Sequence, residues 1–159
     1  MGSRDAAIFI GNSIFGDDQI GLEVGRILAG RLERDGFDVH VVEGTGLALL
    51  DCLEGHERAF IVDSYCDKTE PVGLVRTFSL ERFRLVKPAA PHFSGVPEAV
   101  QLLKDLGFNP PEIVIIGINV GDPYTFADCL SSGLRRMTAR ISEEVHELIL
   151  VRPGAKVAA

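Results

Sequence analysis

No stretch of this chain is apolar for long enough to cross a membrane. The longest such run, Ile113-Val114-Ile115-Ile116-Gly117-Ile118, falls far short of the roughly 18 to 20 residues that a spanning helix needs. Residues Met1-Gly2-Ser3-Arg4-Asp5 lead into a short apolar run without a small-residue cleavage site, so no secretory signal is expected. Cysteine is scarce: Cys52, Cys66 and Cys129 are odd in number, widely spaced and free of any Cys-x-x-Cys pattern. That spacing argues against a disulfide framework or a thiolate zinc site and fits a reducing cytoplasm, with Cys66 packed as a small apolar group. Positive charge is also in short supply. The 16 Lys and Arg face 23 Asp and Glu, a formal net charge of -7. Such a surface repels phosphate backbones, and neither nucleic acid nor membrane is an expected partner. Arg135, Arg136 and Arg140 read as a solvated helix face. Internal repeats, low-complexity tracts and long polar linkers are absent. At 159 residues and 46% hydrophobic, the chain has the size and apolar content of one domain spanning 1–159, expected to be a monomer. There is no Gly-x-Ser-x-Gly elbow and no His-Glu-x-x-His helix, which argues against the common serine hydrolase and zinc protease designs.

What is present is an alternation of short β-rich runs with segments of helical period, the pattern of an α/β fold. Ala6 to Ile10 reads as a buried first strand. A helix over about Asp18 to Asp35 follows, with Ile20, Val24, Ile27, Leu28 and Leu32 on one face. Gly36 is placed to end that helix, and Phe37 to Val42 reads as the second strand. Thr45 is placed to cap a short helix through Leu53, and Ala59 to Val62 forms a third strand ending at Asp63. Leu74 to Leu80 reads as an edge strand and Val86 to Pro91 as loop. Val96, Ala99, Val100, Leu103 and Leu106 mark another amphipathic helix, Glu112 to Ile118 a strongly apolar strand, and about Thr125 to Leu150 a last helix set off by Gly121-Asp122-Pro123. The expected architecture is a three-layer sandwich, a mostly parallel twisted sheet flanked by helices.

The loop after the first strand, Gly11-Asn12-Ser13-Ile14-Phe15-Gly16-Asp17-Asp18, has the glycine spacing of a phosphate-binding loop and the opposite charge. Phosphate loops collect anions with backbone N–H groups, a helix N-terminus and a lysine. Here carboxylates stand at the lysine and hydroxyl positions, so the loop repels phosphate and welcomes a cation. Each aspartate also has a purely structural explanation, since a carboxylate at a helix N-terminus is favoured by the helix dipole. Asp63 bears on that choice, because loops at the carboxyl ends of neighbouring parallel strands surround a common crevice. By itself it is equally a strand-end aspartate satisfying a turn. His92, in Pro91-His92-Phe93-Ser94-Gly95, precedes a helix from a loop that can return to the same rim, although a lone loop histidine is commonly just solvated. Together Asp18, Asp63 and His92 make a candidate open site for a divalent transition metal.

At these residues the sequence resembles the endopeptidases that mature nickel-iron hydrogenases, over about residues 7 to 150. The opening Gly11 to Asp18 is similar to that family's Gly-Asn-x-x-x-x-Asp-Asp/Glu motif. Glu43-Gly44-Thr45, Val62-Asp63, His92 and Gly117-Ile118 follow in matching order. The departures are Ile10 before the motif, Gln19 after its acidic pair, and Ser64 in place of a frequent alanine. The resemblance implies that Asp18, Asp63 and His92 are catalytic and contact a metal. It also implies that the partner is the hydrogenase large-subunit precursor, whose own nickel is the recognition signal, and that no organic cofactor is needed. The implied reaction removes a short C-terminal extension after nickel insertion. The residues leave water activation open between a metal-polarised carbonyl, a metal-bound water and an aspartate general base. A second class of function is a non-catalytic accessory protein that recognises the nickel-loaded subunit without cutting it. A nucleotide-binding protein ranks third, disfavoured by the acidic loop.

Overall fold

The computed structural model describes residues 5–43, 47–86 and 95–151. Five strands form one sheet in the order β2-β1-β3-β5-β4: β1 (Ala6–Gly11), β2 (Asp38–Glu43), β3 (Arg58–Tyr65), β4 (Val75–Phe78) and β5 (Glu112–Asn119). All pairings are parallel except that of β4 with β5, which places an antiparallel strand at one edge. The helices are α1 (Ile20–Arg34), α2 (Leu47–Leu53), α3 (Leu80–Val86), α4 (Val96–Asp105) and α5 (Ser132–Leu150).

Two apolar cores lie on opposite faces of this sheet, because successive residues of a strand point to opposite sides. Ala6, Ile8 and Ile10 of β1 pack with Leu49 and Leu53 of α2 and Val96, Val100 and Leu103 of α4. Ala7 and Phe9 pack with Val24, Leu28 and Leu32 of α1 and Leu134, Ile141 and Val145 of α5. A strand buried on both faces has no polar alternation, which explains the continuous apolar run at Ala6 to Ile10. Each large side chain so enclosed contributes about 1.5–3 kcal/mol. The expected three-layer α/β sandwich is the observed one.

The boundaries differ in instructive ways. Asp18 lies in a 3-10 turn over Gly16–Gln19 rather than in α1, which begins at Ile20. The amide of Asp18 bonds back to the Phe15 carbonyl at 2.7 Å, the shorter reach of a 3-10 turn. Ile27 and Leu106 are exposed: Ile27 sits one residue, about 100°, off the Val24-Leu28-Leu32 stripe, and Leu106 lies past the end of α4. α1 closes as expected, with Gly36 at φ +96° just beyond it and the Phe37 amide returning to the Leu32 carbonyl at 3.0 Å. β4 covers only Val75–Phe78, and Leu80 opens α3, which takes in Val86. Thr45 and residues 87–94, His92 among them, lie outside the described residues.

Tyr65, buried at the end of β3, donates its hydroxyl to Glu70 Oε2 at 2.6 Å. Burial first, then the hydrogen bond to Glu70 and its charge, push this phenol well above the ordinary tyrosine value. The folded chain therefore keeps a proton that the unfolded chain releases. That contribution is fully present below about pH 10 and is lost as pH rises toward the folded value. Between about pH 9 and about pH 11 the denaturant midpoint should fall further for the parent than for Tyr65→Phe. Equal falls would clear Tyr65 of any part in alkaline unfolding.

Candidate active site at the carboxyl edge of the sheet

From β1 the chain crosses to β2 on one side, and the next strand, β3, joins on the other side of β1. The carboxyl ends of β1 and β3 thus flank the point where the winding reverses, the place where open α/β sheets form their crevices. The two strands pair only from Ala6↔Ala59 to Phe9↔Val62. Beyond that, β1 continues along β2 to Gly11, while β3 continues along β5 through Ser64↔Ile118 and Tyr65↔Asn119. The sequence predicts that the strand ends at Asp63, but β3 runs on to Tyr65. Asp63 is the first residue of β3 past the parting from β1, kept in strand conformation by Gly117 of β5.

The opening loop lies over this parting. A Cβ on Gly21, in the first turn of α1, would stand 2.1 Å from the Ile10 carbonyl oxygen and 3.2 Å from that of Val62. Only a bare Cα lets the helix start press against both strand ends. The preceding 3-10 turn then carries Asp18 to β3. The Ser64 hydroxyl donates to Asp18 Oδ1, and the Ser64 amide donates to Asp63 Oδ1 at 2.8 Å. One residue so gathers the two carboxylates that the sequence predicts to share a crevice. Asp63 and Ser64 are buried and Asp18 half-buried. The pair offers hard oxygen donors suited to a divalent cation. Among the described residues no group of three His, Cys, Asp or Glu is placed to hold an ion; His92, the predicted third ligand, lies outside them.

Asp17 faces a different partner. Its carboxylate accepts the Ser131 amide at 2.7 Å and the Ser131 hydroxyl at 2.9 Å, tying the turn to the residue that starts α5. The loop is fastened again where the Gly16 amide bonds to the Ala127 carbonyl at 3.0 Å, the Ala127 amide bonds to the Ile14 carbonyl at 3.1 Å, and Phe15 stacks on Phe126 at 4.9 Å. On the β2 side, Glu43 accepts both the hydroxyl and the amide of Ser13, and these bonds hold its carboxyl below the usual glutamate range. Gly44 and Thr45 of the same motif lie outside the described residues.

The predicted helix from about Thr125 is replaced up to Ser131 by this docked segment. Asp122 accepts the amides of Tyr124 at 2.8 Å and Thr125 at 3.2 Å, the pattern of a helix N-cap, but the bonds that tie Ala127 to Ile14 and Gly16 draw the backbone off a helical path until Ser131. Cys66 is half-buried with its thiol toward the Gly121 carbonyl at 3.7 Å. Arg135, Arg136 and Arg140 are exposed on α5 as expected. Sequence reasoning missed Ser64 and Ser131. The one signal for Ser64 was its departure from alanine beside a candidate ligand.

This doubly wound sheet with helices on both faces has the fold of solved nickel-iron hydrogenase maturation proteases, and the resemblance runs over nearly the whole chain. The nickel-iron hydrogenase maturation protease HybD from Thermococcus kodakarensis is 27% identical, with a TM-score of 0.69 over 91% of this chain and 98% of that one. The hydrogenase maturating endopeptidase HybD from E. coli is 19% identical, with a TM-score of 0.71 over 92% and 91%. A hydrogenase 2 maturation peptidase from a Thaumarchaeota archaeon is 21% identical, with a TM-score of 0.65 over 94% and 100%. No protein-family model and no curated protein sequence matches the chain. No helix among the described residues is long and apolar enough to cross a membrane.

Proposed function

We propose that this protein is an endopeptidase that removes the C-terminal extension of a nickel-iron hydrogenase large-subunit precursor, recognising the nickel that the precursor carries. The observation that carries the reading is the meeting of Asp18 and Asp63 at Ser64, at the winding reversal of the sheet. A maturation protease from T. kodakarensis with the same fold over nearly its full length supports it. In this reading Asp18 and Asp63 supply two anionic oxygen ligands to the substrate's nickel, and His92 supplies an imidazole. The ion arrives with the substrate, the protein needs no organic cofactor, and it works as a monomer in the cytoplasm.

Incubating purified precursor with this protein and weighing the large subunit tests the proposal. The parent should release a C-terminal peptide, and His92→Ala should leave the precursor intact. A stable complex without any mass change would make the chain an accessory binding protein instead. Full cleavage by a folded His92→Ala variant, checked by circular dichroism, would remove His92 from the site.

A further inference from the structure

The two candidate carboxylate ligands come from opposite faces of the sheet. Phe60 and Val62 of β3 pack into the core under α1 and α5, and Ile61 and Tyr65 into the core under α2 and α4. Side chains alternate along a strand, so Ser64 points to the α1 side and Asp63 to the α4 side. Asp18 is delivered from the α1 side, on the 3-10 turn that leads into that helix. Some contact has to join the two faces if both carboxylates are to meet one ion. Ser64 makes it, because its hydroxyl donates to Asp18 Oδ1 and its amide to Asp63 Oδ1 at 2.8 Å.

Ser64 is the fixed member of the three. It is 0% exposed and is paired with Ile118 of β5. Asp18 is half-buried on a turn whose backbone is fastened by the bonds of its own amide to Phe15, of Gly16 to Ala127 and of Ser131 to Asp17, and its carboxylate is reached by the Ser64 hydroxyl. Two carboxylates gathered at one residue repel each other until a cation sits between them, and a hydroxyl donated to one of them offsets part of that repulsion. Alanine, frequent at this position in the family that the sequence resembles, cannot make the bond.

Resting on the reading proposed above, we infer that Ser64 is a positioning residue: its hydroxyl holds Asp18 toward Asp63 and so sets how tightly the pair takes a divalent transition-metal ion. It acts through the two carboxylates and is not a ligand itself. Hydrogen bonds made to a metal ligand from behind are worth about 10–100-fold in metal affinity. Because the pair is set in advance, the protein by itself should bind Ni2+ when the free ion is offered.

The test is calorimetric titration of the metal-free protein with Ni2+, beside kcat/KM for cleavage of nickel-loaded precursor, for the parent, Ser64→Ala, Ser64→Thr, Asp18→Asn and the control Ser131→Ala. Asp18→Asn should abolish Ni2+ uptake, which locates the ion at the pair. Ser64→Ala should weaken Ni2+ binding and lower kcat/KM by about tenfold each, while its melting temperature falls by no more than about 4 °C. Ser64→Thr keeps the hydroxyl and should restore most of both losses. Ser131→Ala cuts the matching serine–aspartate bond at Asp17 and should keep the parental Ni2+ affinity. A serine with only a structural role would move the melting temperature and leave the affinity where it was. Should the added threonine methyl not fit, the contrast of Ser64→Ala with Ser131→Ala decides alone. Parental Ni2+ affinity in Ser64→Ala, uptake that survives Asp18→Asn, or a parent that binds no free Ni2+ would each overturn the inference, while cleavage by the parent would keep the protease reading. Ser64-dependent Ni2+ binding with no cleavage by the parent would sustain the inference and sink the protease reading.

Discussion

Asp18→Asn should stop processing of the nickel-loaded precursor, and Asp17→Asn, one residue away, should process it at close to the parental rate. Both aspartates fall in one acidic pair, and a helix-dipole account would treat them nearly alike. Their partners separate them: Asp18 is held by Ser64 beside Asp63, and Asp17 by the amide and hydroxyl of Ser131 at the start of α5. Loss of the Asp18 charge removes an anionic ligand, and Asp18→Glu, which keeps the carboxylate, should retain part of the activity. Loss of the Asp17 charge weakens two charge-assisted hydrogen bonds and should cost about 1 kcal/mol of stability, read as a lower denaturant midpoint. Parental cleavage by folded Asp18→Asn would take the charge at that position out of the mechanism.

Gly21→Ala should be the most damaging conservative change in α1. The added methyl would sit 2.1 Å from the Ile10 carbonyl oxygen, a backbone atom in a paired strand that cannot turn aside. The helix start must lift off both strand ends, at a cost of about 3 kcal/mol, or a fall in melting temperature of roughly 6–12 °C for a chain of this size. Lifting the helix also moves the 3-10 turn away from Ser64, so processing should fall even at temperatures where the variant is folded. Gly30→Ala on the same helix is the contrast. Its Cβ would meet only the tip of Arg34 at 3.7 Å, and it should raise stability by about 0.5–1 kcal/mol. A Gly21→Ala protein as stable as the parent would mean that α1 does not need this close approach.

The layers of the fold were legible because strands buried on both faces, such as Ala6–Gly11, and stripes such as Val24-Leu28-Leu32 have patterns that follow from geometry alone. The approach of Asp18 to Asp63 was legible for a similar reason, since parallel strands bring their carboxyl ends to one edge. The reach of β3 past Asp63 was not, because β5 holds it there and a single strand's sequence does not report its neighbour. Residues 125–131 were misread as helix because Phe126 and Leu130 have helical spacing, while the bonds to Ile14 and Gly16 hold the backbone elsewhere in spite of the N-cap pattern at Asp122. Ser64 and Ser131 carry their roles through side chains that sequence leaves equally free to face solvent. Only the contacts with Asp18 and Asp17 distinguish them.

In the proposed reaction the carboxylates answer to the metal carried by the substrate. The most direct measurement is the mass of the large subunit after the same purified precursor, with and without bound nickel, is incubated with the parent protein. Loss of the C-terminal peptide from the nickel-loaded form only is the predicted result. Equal cleavage of both forms, or an intact mass for both, would contradict it.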